Sequence, residues 1–547
     1  VSASLWITAT PTTPNGELHV GHLAGPYVAA DVLRRFLKAD GLPVRLTGGL
    51  ADHESAVELC ALGQGRKAAE VADGYGEAIT VDWRRAGVEF DQLVRPNQDK
   101  GYRAFVTSLF RRLHADGVLV PRTRLLPYCG PCERALYGKY VKGGCPSCGA
   151  QADGNLCQTC ARPNDCGDLL APVCVLCGTP AVLRQCRRLY LPLEAHRKEL
   201  TDFWDSVAMP PRLAAFRDGL LHDGLPDVAV SHPAQWGIEV PVEGFADQRI
   251  APAVEEVASY LLSTGPESGP ESGLKGGPDN GPESGPENGE ESARGPLQFF
   301  GIDRAVLHLA VLPTLVAAYG GPLPTGFQVN EYYRLDGRKL STTRRHAVWA
   351  LDVLTDAGSD TLRRHVLSDR PEGRPAEFEL DGLDRTRDHL HTSWNQWLSR
   401  LFAALREDCA GVTPEEAPGG TGWDLLAERL DFSARELRSS YGVSGFAPRR
   451  AVALLDEVVR LADDFHLVNA PERDRAAGRS AYRAALAAEL AVACALTAWA
   501  WPVMPEGAGR LAAALGVTAG GPVTSAALAA PAPGVRLVPP TGPVFGF

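Results

Sequence analysis

Ten of the chain's thirteen cysteines fall between Cys129 and Cys186, and eight of those ten stand in C-x-x-C pairs. Cys145-Pro-Ser-Cys148 is followed eight residues later by Cys157-Gln-Thr-Cys160, four thiolates at the spacing that closes tetrahedrally around one zinc ion. A second set, Cys129-Gly-Pro-Cys132 and Cys174-Val-Leu-Cys177, flanks the first and supplies ligands for another. Four protein ligands leave no open coordination position, so one or two structural Zn²⁺ ions are expected, with a redox dithiol role as the alternative. Cys166 and Cys186 fall outside the pattern and read as structural or simply reduced thiols. Clustered C-x-x-C pairs point to metal ligation rather than disulfides. The N-terminal Val1-Ser2-Ala3-Ser4-Leu5-Trp6 has no basic stretch before its apolar residues, so no signal peptide is read and a reducing cytoplasm is the expected location.

The cysteine segment interrupts a different kind of pattern. Leu5–Ala9 reads as a strand, Pro11 to Gly16 as a turn-rich loop, Ala24 to Ala39 as a helix, and Val44–Gly49 as a second strand ending in glycines. Strand–loop–helix–strand of this size is a βαβ unit, which predicts a Rossmann-like α/β domain with a parallel sheet. The organisation expected is a first catalytic half over 1–115, a connective insertion with zinc knuckles over 116–235, and a second half over 236–350. A connecting stem follows over 351–384, then an all-α helical bundle over 385–547. In that bundle Trp394, Trp397, Leu398 and Leu401 recur at i, i+3, i+4 and i+7. Residues 265–296 are low complexity, with repeated GPES-like tetrapeptides and seven acids against two bases. Such a tract buries too little apolar surface to offset its ordering entropy and is expected to be a disordered acidic loop.

At 547 residues and roughly 100–200 per domain, three to five domains are expected. No apolar run of the ~18 residues needed to cross a bilayer is read. The formal charge of −11 disfavours a protein that holds nucleic acid mainly by bulk electrostatics. A small disulfide scaffold, a membrane protein and a fully disordered chain are excluded.

The segment richest in chemistry is Pro14-Asn15-Gly16-Glu17-Leu18-His19-Val20-Gly21-His22, between the first strand and the first helix. Glycines there let backbone approach a ligand, a helix N-terminus favours phosphate, and two imidazoles can hydrogen-bond a polyphosphate as it becomes pentavalent. A pair of ordinary surface histidines is the alternative. Late in the α/β part comes a basic loop, Asp336-Gly337-Arg338-Lys339-Leu340-Ser341-Thr342-Thr343-Arg344-Arg345.

Taken together these motifs resemble the class I aminoacyl-tRNA synthetases: HVGH is similar to their HIGH motif and KLSTT to a worn KMSKS. NGELHVGH, Gly301-Ile302-Asp303 with His308 five residues on, and Trp501-Pro502-Val503-Met504-Pro505 narrow the resemblance to the methionyl type. The resemblance implies ATP as substrate with Mg²⁺ and adenylation of an amino acid. His19 and His22 would stabilise the phosphates, and Lys339 would contact the leaving pyrophosphate. Asn15, Gly16 and Gly21, together with Asp303, Ser341 and Arg344, would hold the nucleotide. The interleaved cysteine pairs resemble the two-knuckle insertion of some methionyl enzymes.

Several positions depart from the family pattern. Thr12-Thr13 stand where the family has Pro-Tyr, so Thr13 replaces a tyrosine that closes over the substrate side chain. Ala51 aligns with the aspartate that anchors the substrate ammonium, and Asp52 is one residue off. Ala253 aligns with a pocket tryptophan, while Glu255 and Tyr260 keep the acid and the tyrosine; His308 completes the substrate set. Thr342 replaces the second lysine of the signature loop, with Arg344 and Arg345 nearby. Glu472 stands where the family stacks a tryptophan on the anticodon, and a carboxylate repels phosphate.

These departures imply a methionyl-synthetase-like ligase with altered amino-acid specificity. Its acyl transfer would be tRNA-independent, as in hydrazine synthetases, and would need a separate cupin or carrier-protein partner. The alternative is a methionine--tRNA ligase that charges tRNA. A refilled methionine pocket is the competing explanation of the substitutions, and a non-catalytic binding module is disfavoured by the retention of His19, His22 and Lys339. No dimerisation domain is read after the bundle, so a monomer is expected.

Overall fold

The computed structural model describes residues 4–264, 295–475 and 477–546. The acidic tract expected over 265–296 lies, but for its last two residues, outside the described residues.

Five parallel strands form the central sheet: β1 (Leu5–Ala9), β2 (Val44–Gly49), β3 (Gln92–Val94), β4 (Leu297–Gly301) and β5 (Gly326–Asn330), in spatial order β5-β4-β1-β2-β3. The first two strands fall where the sequence places them. Sheet residues such as Ile7, Leu46 and Phe299 are almost fully buried, as expected of a parallel sheet covered on both faces. From β1 the chain moves outward on one side to β2 and β3. It then returns to place β4 and β5 on the other side, so strand order reverses between β1 and β4. In open α/β sheets the crevice at the carboxyl ends of such a pair is where ligands bind.

The first helical segment starts earlier than the apolar spacing suggests. It opens at Val20–His22, widens into a π-helical turn over Leu23–Tyr27, and continues as a regular helix over Val28–Ala39. Pro26 lacks the N–H a regular turn would need, and the widened turn absorbs it.

A long antiparallel pair, Val120–Cys129 against Val182–Pro192, forms the neck of the cysteine insertion, with Val120 opposite Tyr190 and Tyr128 opposite Val182. This ladder returns the chain to its starting point and so gathers Cys129 and Cys132 with Cys174 and Cys177. A small sheet of Val141–Gly144, Gln151–Asp153 and Leu170–Cys174 carries the inner knuckles.

The C-terminal region is a helical bundle whose helices include Gln396–Asp408, Trp423–Tyr441, Pro448–Asn469 and Arg479–Trp499. Trp394, Trp397, Leu398 and Leu401 all point into its core, each at most 1% exposed. Glu489, in the same core, accepts hydrogen bonds from Trp397 Nε1 at 3.0 Å and pairs with His466 Nδ1 at 3.0 Å. Arg479–Trp499 has the length and hydropathy to cross a membrane, but 83% of its apolar window is buried inside the bundle, which is where a core helix belongs.

Candidate active site

The crevice between the ends of β1 and β4 holds a cavity of about 250 Å³. The segment after β1 lines one wall with Thr13, Asn15, His19, Gly21 and His22; the turn after β4 contributes Asp303; the basic loop contributes Lys339, Ser341 and Thr342. The two sequence motifs, three hundred residues apart, therefore meet on one space.

Local backbone explains how the imidazoles are held. His19 is extended and precedes the helix start, its N–H donating to His22 Nδ1 at 3.1 Å, and the two rings stack with centroids 3.8 Å apart. A Cβ on Gly21 would sit 3.0 Å from both His19 Nδ1 and Leu340 Cδ1, so the close stacking requires glycine. Burial and then the nearby Lys339 ammonium lower the His22 pKa to about 4, against a smaller pull upward from Asp303. Burial, His22 and Lys339 push His19 down in the same way. Both rings are neutral at physiological pH. Because His22 Nδ1 accepts, its remaining proton sits on Nε2, free to donate to a phosphate oxygen.

The basic loop is a hairpin. Arg338-Lys339 pairs with Tyr333–Leu335, Asp336 takes φ +51° at the turn, and Ser341 and His346 exchange backbone hydrogen bonds at 2.8 and 3.1 Å. Lys339 Nζ donates to Asp303 Oδ2 at 2.7 Å and lies 4.3 Å from the centre of the Tyr332 ring. Burial alone would raise the Asp303 carboxyl, but the Lys339 charge and hydrogen bond outweigh it and hold the pKa at about 2. Gly16 lies against the Thr342 methyl with no room for a Cβ, and Asn15 Nδ2 donates to Thr343 Oγ1 at 3.0 Å.

A second, smaller cavity of about 40 Å³ opens deeper between the ends of β1 and β2 and the helix Pro252–Leu262. Tyr260 and His308, read as substrate residues from the family pattern, both line it. His308 Nδ1 meets Gln298 Oε1 at 3.1 Å, its Nε2 meets Thr10 Oγ1 at 3.3 Å, and its ring stacks on Phe300 at 4.0 Å. Tyr260 Oη is turned away onto Pro322 O at 2.5 Å.

Four residues read as substrate ligands are not in either cavity's wall. Ala51 donates its N–H to Thr12 O, and Asp52 Oδ2 accepts from the Asn97 backbone at 2.8 Å. Glu255 pairs with His53 Nδ1 at 2.6 Å, and Ala253 faces the groove between insertion and sheet. The helix explains the difference: one residue on, and about 100° round, Glu256 lines the small cavity in place of Glu255. Glu256 Oε1 accepts from Arg304 Nη1 at 2.9 Å, while its buried Oε2 has no partner among the described residues. Glu54, 3.8 Å from the same guanidinium, lines the larger cavity where Ala51 and Asp52 do not. Sequence reasoning missed Glu54, Glu256 and Arg304; an acid beside each aligned position was the only signal available.

Both cysteine sets close as expected: in each, the four Sγ atoms lie within 4.8 Å of one another. The knuckle backbone turns toward its sulfurs, with Ser147 N donating to Cys145 Sγ and Thr159 N to Cys157 Sγ, each at 3.4 Å. Four thiolates stabilised in this way fit Zn²⁺. Cys166 and Cys186 belong to neither set.

Residues 5–402 match the family described as tRNA synthetases class I (M). A methionine--tRNA ligase from Roseiflexus sp. (strain RS-1) is 30% identical over 406 residues, 73% of this chain and 68% of that protein. One from Dehalococcoides mccartyi (strain CBDB1) is 27% identical over 537 residues, 97% of this chain and 94% of the relative. In fold, the chain is similar to Mycobacterium tuberculosis methionyl-tRNA synthetase in complex with methionyl-adenylate, with a TM-score of 0.78, 21% identity and 99% coverage of both chains. Paired histidines and a basic loop on one crevice, a thiolate-bearing insertion and a match across most of the length lead to one family: the chain belongs to the class I aminoacyl-tRNA synthetases of the methionyl type and is a ligase.

Proposed function

We propose that this ligase activates methionine with ATP as an aminoacyl adenylate and passes the acyl group to the 3′ end of tRNA. Family membership and the curated relatives support this reading. The observation that carries it is the convergence of His19, His22 and Lys339 on one cavity at the strand-order switch. In the reaction the substrate carboxylate attacks the α-phosphorus of ATP, the bond to the bridging oxygen breaks, and pyrophosphate leaves. The protein has little covalent work to do, and positioning and charge stabilisation dominate. His22 Nε2–H donates to a phosphate oxygen; the His19 backbone N–H, donating to His22 Nδ1, fixes that tautomer, and the stacked His19 ring holds its orientation. Lys339, parked on Asp303, moves to the leaving pyrophosphate. Mg²⁺ arrives with the nucleotide as part of the substrate. Cys145, Cys148, Cys157 and Cys160, with Cys129, Cys132, Cys174 and Cys177, would hold structural zinc that shapes the insertion. On this reading 1–115 and 236–350 are the catalytic halves, 116–235 the insertion, 351–384 the stem and 385–547 the tRNA-facing bundle. The setting is the reducing cytoplasm.

A second reading keeps the adenylation and changes the amino acid and acceptor, with a cupin or carrier protein in place of tRNA. Glu256 favours it: a buried carboxyl with a free oxygen lines the small cavity, where a thioether offers no hydrogen-bond donor. Glu472 in place of an aromatic ring also weakens anticodon stacking. ATP–pyrophosphate exchange with a panel of amino acids, with and without tRNA, separates the two. Methionine-dependent exchange with acylated tRNA establishes the first. Exchange only with a donor-bearing side chain, and no acylated tRNA, establishes the second.

A further inference from the structure

Three consecutive residues of the basic loop are gripped by two distant parts of the molecule, the signature segment after β1 and the cysteine insertion. Thr342 packs on Gly16, Thr343 accepts from Asn15, and Arg344 Nη2 donates to Gln158 Oε1 at 3.2 Å. Gln158 lies inside the knuckle Cys157-Gln-Thr-Cys160, between two cysteines of one metal set, and it lines the nucleotide cavity together with Lys139 and Asn155 of the same insertion. That insertion is itself docked on the catalytic half, with Lys139 N donating to Ser55 Oγ at 3.0 Å. The far wall of the cavity is therefore built by the insertion, and its contact to the loop is made by a residue whose position the thiolate cluster dictates.

The charge of the loop makes that contact matter. Thr342 carries none, Lys339 is engaged by Asp303, and Arg345 lines an adjoining groove beside Cys60. Arg344 is held by a neutral amide, which fixes a guanidinium in place without cancelling its charge.

We propose that Gln158 is a positioning residue for ATP: from the cavity wall it holds Arg344, cationic and within reach of the triphosphate, and ties the loop to the cysteine knuckle. The proposal rests on the adenylation reading above. It is tested with the full chain and with Gln158→Ala, Gln158→Glu, Arg344→Ala and the Gln158→Ala/Arg344→Ala pair, each checked for unchanged zinc content. Pyrophosphate exchange should show the KM for ATP raised about tenfold in each single alanine variant, the lower end of the scale for one lost hydrogen bond to a charged group. kcat and the amino-acid KM should stay within about twofold, and the double variant should be no worse than either single one. Trypsin, cutting after the basic residues at 338–345 in the absence of substrate, should nick Gln158→Ala several times faster than wild type. Gln158→Glu should resist trypsin yet still raise the ATP KM, since it keeps the contact but neutralises the charge. Additive effects, an unchanged ATP KM in Gln158→Ala, or unchanged trypsin cleavage would overturn the proposal. Wild type that exchanges with no amino acid would instead sink the adenylation reading, and the trypsin comparison would still decide the contact.

Discussion

At the scale of single residues, the site is set by close approach and by burial. Gly21 is the clearest case, because its missing Cβ is what lets His19 and Leu340 close over the helix start. Gly21→Ala is expected to lower kcat for exchange by tenfold or more, about 1.4 kcal/mol per decade, with a thermal midpoint close to wild type; steady-state kinetics beside a melting curve checks both. The low His22 pKa has a sign that can be read in the same assay. An ordinary imidazole would lose its neutral form below about pH 6.5, whereas His22 keeps it down to about 4. The contribution of these rings to kcat should therefore be flat from pH 8 to 6. It should fall only near pH 5 and below, when protonated Nδ1 no longer accepts from His19 N. The same shift works against the fold in acid: the unfolded chain binds this proton near pH 6.5 and the folded chain only near 4, so the group's contribution to stability declines through that window as pH drops. Glu256→Ala discriminates the two functional readings one residue at a time. Methionine as substrate predicts kcat/KM for methionine changed by no more than about threefold, since a thioether makes no use of the acid and Arg304, released from Glu256, keeps Glu54 at 3.8 Å. A donor-bearing substrate predicts a loss of tenfold or more for that amino acid.

At the scale of elements, local pattern was the better guide to existence and chain order than to which face a residue takes. β1 and β2 were legible to the residue because short apolar runs ended at Pro11 and at the glycines of Gly48-Gly49. The helix after them was read from Ala24, because its apolar spacing becomes regular only beyond the π-helical turn at Leu23–Tyr27. That the signature histidines and Lys339 share one cavity, and that each cysteine set gathers, was legible because motif spacing carries it. Glu54, Glu256 and Arg304 were not, because a buried charge network is made by contacts between residues far apart in sequence, and a one-residue alignment error on a helix turns a side chain to another neighbour. The insertion is the element with the sharpest dependence on its ligands. Its own core is small, with Leu126, Leu136, Tyr140, Val141 and Leu169 packed among the cysteines themselves, so a metal held by four thiolates would supply much of its stability. Chelation, or Cys148→Ser, should release zinc and expose amides over 129–186 to hydrogen exchange while 5–49 stays protected. Equal loss of protection in both segments would mean that the insertion has no separate stability.

At the scale of the whole molecule, one guanidinium joins three parts of the chain. Arg363, fully buried in the helix Ala350–Ser368, donates through Nη2 to Asp31 Oδ2 at 2.8 Å, on the helix Val28–Ala39 between β1 and β2. Its Nη1 donates to Ala86 O at 3.0 Å, and its Nε and Nη2 reach Val503 O and Pro502 O at 2.9 and 2.8 Å, in the segment that closes the bundle. Arg35 also pairs with Asp31, at 2.7 Å, so the carboxylate sits between two guanidiniums. Burial by itself works against the charge of Arg363, and Asp31 is the first partner that offsets this. Such a buried pair is weak evidence of net stabilisation, but removing one partner is costly, about 3–5 kcal/mol. Here the cost has a location, because the bonds lost lie between the sheet domain and the bundle. Arg363→Ala should therefore do more than lower the midpoint of urea unfolding: it should split one transition into two. The bundle is reported by amide hydrogen exchange over residues 396–499, and the sheet domain by loss of ATP binding. Arg363→Lys keeps a charge near Asp31 but cannot reach all the carbonyls, so it should fall between wild type and alanine. A single coincident transition in Arg363→Ala, merely shifted, would place the coupling of the two parts in their apolar contact instead, where Leu362 and Val366 pack in the same continuous core as Val503 and Leu511.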